Sequence, residues 1–245
     1  MKNIIVILFA LLSVNSFSQT REGLIAFNKR NDPTIKPVPV VKKPIVKSEP
    51  GKETRETHVD FNNINKKFLE TLMIEKCNGE RDKFKQPHVI FNPVCSLAAQ
   101  HHSEYMLHYN ILNHDESYNG FNGQFFDYYH DENVPEGTIG SYGITFSDRL
   151  DHFTNIYNKE KNSKKKYYAE TEICRSLGNN IYPNFSYTYD EFAYMLVHGY
   201  IKSKLHYEAM TQNNVKYCSF NIAHTFKDGR LKLYLTGLFA IDEWY

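Results

Sequence analysis

The 245-residue chain has no excess charge of either sign, no internal repeat, and no long apolar run beyond its first residues. Lys and Arg total 29 against 28 Asp and Glu, a formal net charge of +1, so bulk charge names neither nucleic acid nor a membrane surface as a partner. No segment past the N-terminus approaches the ~20 apolar residues that a membrane span needs. A Gly-x-Ser-x-Gly elbow is missing, which argues against a serine hydrolase. The histidines His102 and His108 of "HHSEYMLH" stand a step of six apart, not the step of four that puts two zinc ligands of a protease helix on one face. Cysteine is scarce. The four present are Cys77, Cys95, Cys174 and Cys218, and none follows the apolar start closely enough to be a lipidated N-terminal residue.

What is present begins with an export pattern. Lys2, an apolar run from Ile4 to Leu12, and small Ser16 and Ser18 in "SVNSFS" predict a removed signal peptide over residues 1–18. The mature protein is then expected to be soluble and secreted, or held in the periplasm or at the cell surface, with no transmembrane segment. Residues 19–60 read as a Pro/Lys-rich linker: "NDPTIKPVPVVKKPIVKSEPGKETRET" spaces prolines among lysines and lacks an apolar period. From Phe61 to Tyr245 the pattern is globular, and 41% hydrophobic residues over the chain can fill an ordinary core. We read residues 61–245 as one domain.

Within it, Phe61, Ile64, Phe68, Leu72 and Glu75 fall at helical steps. A second helix starts after Asn92-Pro93, with Cys95, Ala98, His102, Tyr105 or Met106, and Tyr109 along one side. A third is predicted over Asp190 to Met210. Strands are predicted in "YYAETEICRS", "VKYCSFNIAHTF" and "RLKLYLTGLFA", the last with Leu231, Leu233 and Leu235 alternating after the turn pair Asp228-Gly229. The run "NKEKNSKKKYY" reads as a solvated loop. Helices around a small, mainly antiparallel sheet follow, an α/β class with an α-β-α sandwich.

Five stretches in this order, "NPVCSLAAQHHSEYMLHYNILNHDE", "GITFSDRLDHF", "AETEICRSLG", "GYIKSKLHYEAM" and "DGRLKLYLTGLFA", resemble the CAP superfamily, the cysteine-rich secretory, antigen-five and pathogenesis-related-one proteins, in its bacterial SCP-type form. The resemblance spans most of residues 61–240. It implies an α-β-α sandwich whose cavity is lined by two histidines and two glutamates. His114 matches the first histidine and His206, in "SKLH", the second. Glu172 matches the strand glutamate, with Glu170 two residues earlier as the other choice. The fourth carboxylate would fall near Ser203 and is missing.

Two imidazoles across a polar cavity can bind a divalent metal such as zinc, with a carboxylate orienting one ring or serving as a base. The plain reading of His114 is a histidine at a helix end, favoured by the helix dipole. The plain reading of His102, on the apolar stripe, is a satisfied core residue. Four cysteines allow three pairings. Cys77 and Cys95 bracket the short stretch between the first two helices, and the resemblance makes the strands of Cys174 and Cys218 neighbours, so Cys77–Cys95 and Cys174–Cys218 are the expected disulfides. Two functions remain open: an exported, non-enzymatic binding module for a metal, an apolar small molecule or lipid, or a peptide; and a metal-dependent hydrolase using His114, His206 and Glu172.

Overall fold

The computed structural model describes residues 51–116, 143–181, 186–227 and 230–242, all within one compact unit, Val46–Tyr245. The expected signal peptide, most of the linker and the Asp228-Gly229 turn lie outside the described residues. Among them, no helix is long and apolar enough to cross a membrane.

Among the described residues, five helices and four strands follow one another as α1 (Lys66–Asp82), β1 (Ile90–Phe91), α2 (Pro93–Tyr109), α3 (Phe146–Lys161), β2 (Tyr168–Ile181), α4 (Tyr189–Ile201), α5 (Lys204–Met210), β3 (Tyr217–Lys227) and β4 (Arg230–Ile241). The strands form one sheet in the order β1-β3-β4-β2; β1 runs parallel to β3, and the other pairs are antiparallel. Helices on both faces of this mixed sheet give the expected α/β sandwich.

Local chemistry sets the helix ends. Asn65 caps α1, accepting from Phe68 N at 3.0 Å, so the helix starts at Lys66, after Phe61 and Ile64, which still pack in the core. Asn92 caps α2 by accepting from Val94 N and Cys95 N at 2.8 and 3.1 Å, with Pro93 in the first turn, where its missing N–H costs nothing. Thr145 with Asp148, and Thr188 with Glu191, form capping boxes at the starts of α3 and α4. The helix α3 was not expected, and the charged run assigned to a loop supplies its last turn. The predicted third helix is two: Ser203 takes an extended backbone conformation, φ −100°, ψ 118°, and starts α5 in a new direction.

Alternation decides which core each strand residue joins. Leu231, Leu233 and Leu235 of β4 share a face with Cys218, Phe220 and Ile222 of β3, and pack under α1 and α4. Leu238 and Ala240 point the other way, into a second cluster with Val94, Cys95 and Ala98 of α2 and Leu150 of α3.

The expected disulfides are absent: all four cysteines are buried thiols. Cys77 belongs to the cluster on one face of the sheet and Cys95 to the cluster on the other. Cys174 is in register with Thr236, whereas Cys218 is in register with Phe239. Those β4 positions have opposite parity, so the two thiols leave opposite faces, with a whole strand between their backbones. Two strand spacings of ~4.8 Å already exceed the ~7 Å Cα separation that a disulfide tolerates.

Residues 54–60, assigned to the linker by composition, are hydrogen-bonded to the start of α4. Val59 N donates to Tyr187 O, Tyr189 N to Thr57 O and Asp190 N to Arg55 O, at 2.8, 2.9 and 3.0 Å.

Candidate functional site

The helix α2 ends at Asn110 in the left-handed conformation, φ 56°, and the chain then turns back through residues 111–116. Two buried side chains clamp this turn. His102 Nε2 lies 2.8 Å from Asn113 O, and Arg149 Nη2 donates to His114 O at 3.0 Å. Arg149 Nη1 also donates to Ile144 O, and Glu116 N to the same carbonyl, which ties the turn to the entry of α3.

Glu116, Arg149, Glu172 and His102 make a fully buried ionic cluster. Arg149 Nη2 donates to both oxygens of Glu172, at 2.9 and 2.8 Å, and its Nε lies 3.4 Å from Glu116 Oε1, an ion pair without directed hydrogen-bond geometry. The same Glu116 oxygen meets His101 Nδ1 at 3.2 Å and His102 Nδ1 at 3.0 Å. Burial would raise the pKa of Glu116, but hydrogen bonds from His101 and His102 and the charge of Arg149 outweigh it and hold the group at about 2. Glu172 behaves alike. Burial opposes its charge, yet His102, Arg149 and a hydrogen bond with His114 bring it to about 2. Facing these two carboxylates, Arg149 is held more firmly protonated than usual.

Of the sequence-predicted site residues, Glu172 enters this cluster. Glu170 does not: a register irregularity between Ala169 and Thr171 breaks the alternation, and Glu170 instead accepts from Asn214 Nδ2 at 2.8 Å. His114 lies above the cluster, its Nδ1 3.4 Å from Glu172 Oε1 and its side chain 50% exposed. His206 packs edge-on against Tyr200, ring centroids 5.4 Å apart. Burial, then the neighbouring His114, then Arg175 push its pKa below the ordinary histidine value.

Sequence reasoning missed Glu116, Arg149 and His101. Glu116 follows His114 by two residues and Arg149 stands in "FSDRL", but nothing in a single sequence says that an acid from the first stretch and a base from the second meet.

Among the described residues, the His, Cys, Asp and Glu ligand atoms that gather within 4.8 Å of one another are those of His102, Glu172 and Cys174. That trio does not suit an ion. Both nitrogens of His102 already face oxygens, Glu172 is held by Arg149, and burial keeps the Cys174 thiol protonated while it donates to Glu172 Oε1 at 3.6 Å.

No family model matches the chain, and no curated protein sequence matches it. Among solved structures it is similar to an outer surface protein from Borrelia burgdorferi, with 12% identity and a TM-score of 0.43 over 77% of this chain and 99% of that one. It is also similar to an extracellular protein containing an SCP domain from Bacillus anthracis, with 13% identity and a TM-score of 0.38 over 71% of this chain and 41% of that one.

Proposed function

We propose that the protein is an exported, non-enzymatic binding module of the SCP type, whose ligand meets His114 and His206 on the surface side of the buried Glu116–Arg149–Glu172 cluster. The observation that carries this reading is the state of Glu172. A general base works best with a pKa near the working pH. Glu172 is held at about 2, and one nitrogen of Arg149 occupies both of its oxygens. It serves to fix the turn that presents His114, and the metal-dependent hydrolase, which needs Glu172 to accept a proton, loses its base.

The two imidazoles supply donors for a divalent ion such as zinc, with the remaining positions left to water or to a donor from the partner. Bound there, the ion would act as a bridge to a ligand carrying a carboxylate or imidazole. The partner classes remain an apolar small molecule, a lipid or a peptide.

Calorimetric zinc titration tests the reading. His114→Ala and His206→Ala should each remove most of the affinity, whereas Glu172→Gln should leave it within about 10–100-fold of wild type. Wild type should not hydrolyse ester, peptide or lipid substrates. Turnover that disappears in Glu172→Gln would establish the hydrolase instead. Unchanged affinity in both histidine variants would remove the metal from the reading.

A further inference from the structure

Cys77 on α1 and Cys218 on β3 are fully buried in the same core cluster. Burial, and then the nearby Cys77 thiol, raise the pKa of the Cys218 thiol. Cys218 is in register with Phe91 of β1 and Phe239 of β4, on the sheet face that α1 covers. Cys95 and Cys174 belong to the clusters of the opposite face.

Charged groups flank this pair. Arg81, one turn beyond Cys77 on α1, is completely buried, and it donates from Nε to Pro87 O at 2.7 Å and from Nη1 to Met210 O at 2.8 Å. Its Nη2 is buried without a hydrogen-bond acceptor, and the guanidinium is in electrostatic contact with both thiols. The carboxyl of Glu70, hydrogen-bonded by Ser219 and Ser96, also acts on Cys218. Two thiols serving only as small apolar filling need neither neighbour.

We infer that Cys77 and Cys218 are an oxidisable pair that closes into a disulfide linking α1 to β3, with the disulfide of another thiol compound as oxidant. One cysteine, as thiolate, attacks a sulfur of the oxidant, forms a mixed disulfide and expels the first oxidant thiolate. The second cysteine, deprotonated in turn, attacks the mixed disulfide, which forms the Cys77–Cys218 bond and expels the second. Two electrons pass to the oxidant, which ends as two thiols carrying the two protons. Burial pushes the Cys218 thiol up, so exchange belongs to folding, before the core closes. The inference is independent of what the histidine site binds.

The test is to unfold the full chain, refold it in a buffer of reduced and oxidised glutathione, alkylate it, and map it without reduction. A Cys77–Cys218 cross-linked peptide, with Cys95 and Cys174 alkylated, is expected. Any other pairing, or four alkylated cysteines, overturns the inference. The variant Cys95→Ala/Cys174→Ala should keep the link and the faster non-reducing mobility, and losing them there also overturns it. If that variant does not fold, the wild-type map decides. Reducing the link should lower Tm by roughly 10 °C, since it closes a loop on the order of 100 residues.

Discussion

A single nitrogen of Arg149, Nη2, donates to both carboxylate oxygens of Glu172, at 2.9 and 2.8 Å, inside a cluster closed to solvent. An arrangement of this kind resists the loss of one partner more poorly than the loss of both. Removing the cation leaves two buried carboxylates facing each other's charge with nothing but imidazoles between them.

Arg149→Met should therefore destabilise the domain by about 3–5 kcal/mol, the usual cost of leaving a buried charge unpaired. Thermal unfolding should register this as a midpoint lower by roughly 10 °C. Replacing the arginine and both glutamates by apolar residues of similar volume should cost less than the single change. A single variant as stable as wild type would show that water reaches the cluster.

Stability should fall with acid in a defined window. Glu116 and Glu172 have folded pKa values depressed to about 2 from the ordinary glutamate value of 4.5. A depressed carboxylate contributes stability that is present above the unfolded pKa and is lost as pH falls through the folded one. Urea midpoints should hold steady down to about pH 5, then drop between ~4.5 and ~2, by a few kcal/mol for the coupled pair. Arg149→Met should flatten that slope.

Gly199 lets a guanidinium cross α4. A Cβ there would lie 1.1 Å from Arg175 Nη1, which donates to Leu196 O at 3.2 Å and Met195 O at 3.4 Å. Although alanine is the better helix former by ~1 kcal/mol, Gly199→Ala should be net destabilising, by about 1–3 kcal/mol. Adding Arg175→Ala should recover part of the loss, because the obstruction goes with the side chain. Because Arg175 acts on His206, its removal should also raise the His206 pKa, measurable by NMR titration.

Truncation should find the edge of the domain. A chain starting at residue 51 should melt like a longer one, whereas a start at residue 61 removes the backbone hydrogen bonds to residues 187–190 and the Arg55 pairs with Glu75 and Asp190. The shorter chain should lose several degrees in Tm. Equal midpoints would mean that the segment packs without contributing.

Much of this fold was legible because its signals are local. Asn92-Pro93 marks the start of α2, and the leucine alternation of β4 gives its buried face directly. The helix α3 was legible too, in Thr145-x-x-Asp148 and in the spacing of Phe146, Leu150, Phe153 and Tyr157, but its lysine-rich end masked it. The break at Ser203 carries no such signal, because serine is at home both inside a helix and at its cap. The cysteines show a different limit. Which thiols can meet depends on the parity of residues on β2, β3 and β4 counted across the sheet, and one insertion anywhere reverses it. The buried cluster divides in the same way: Glu172 was visible by itself, whereas the Arg149 bridge that decides what Glu172 can do exists only once α2, α3 and β2 are in place.

The strand order has a consequence for how the protein is made. β4 lies between β3 and β2, so until residues 230–241 have left the ribosome β2 has no partner and neither face of the sheet exists. The nascent chain can form α1 and α2 as isolated helices, but it has nothing to pack them on. The whole domain is then a single long-range event, slow for its size, that waits on residues 230–241.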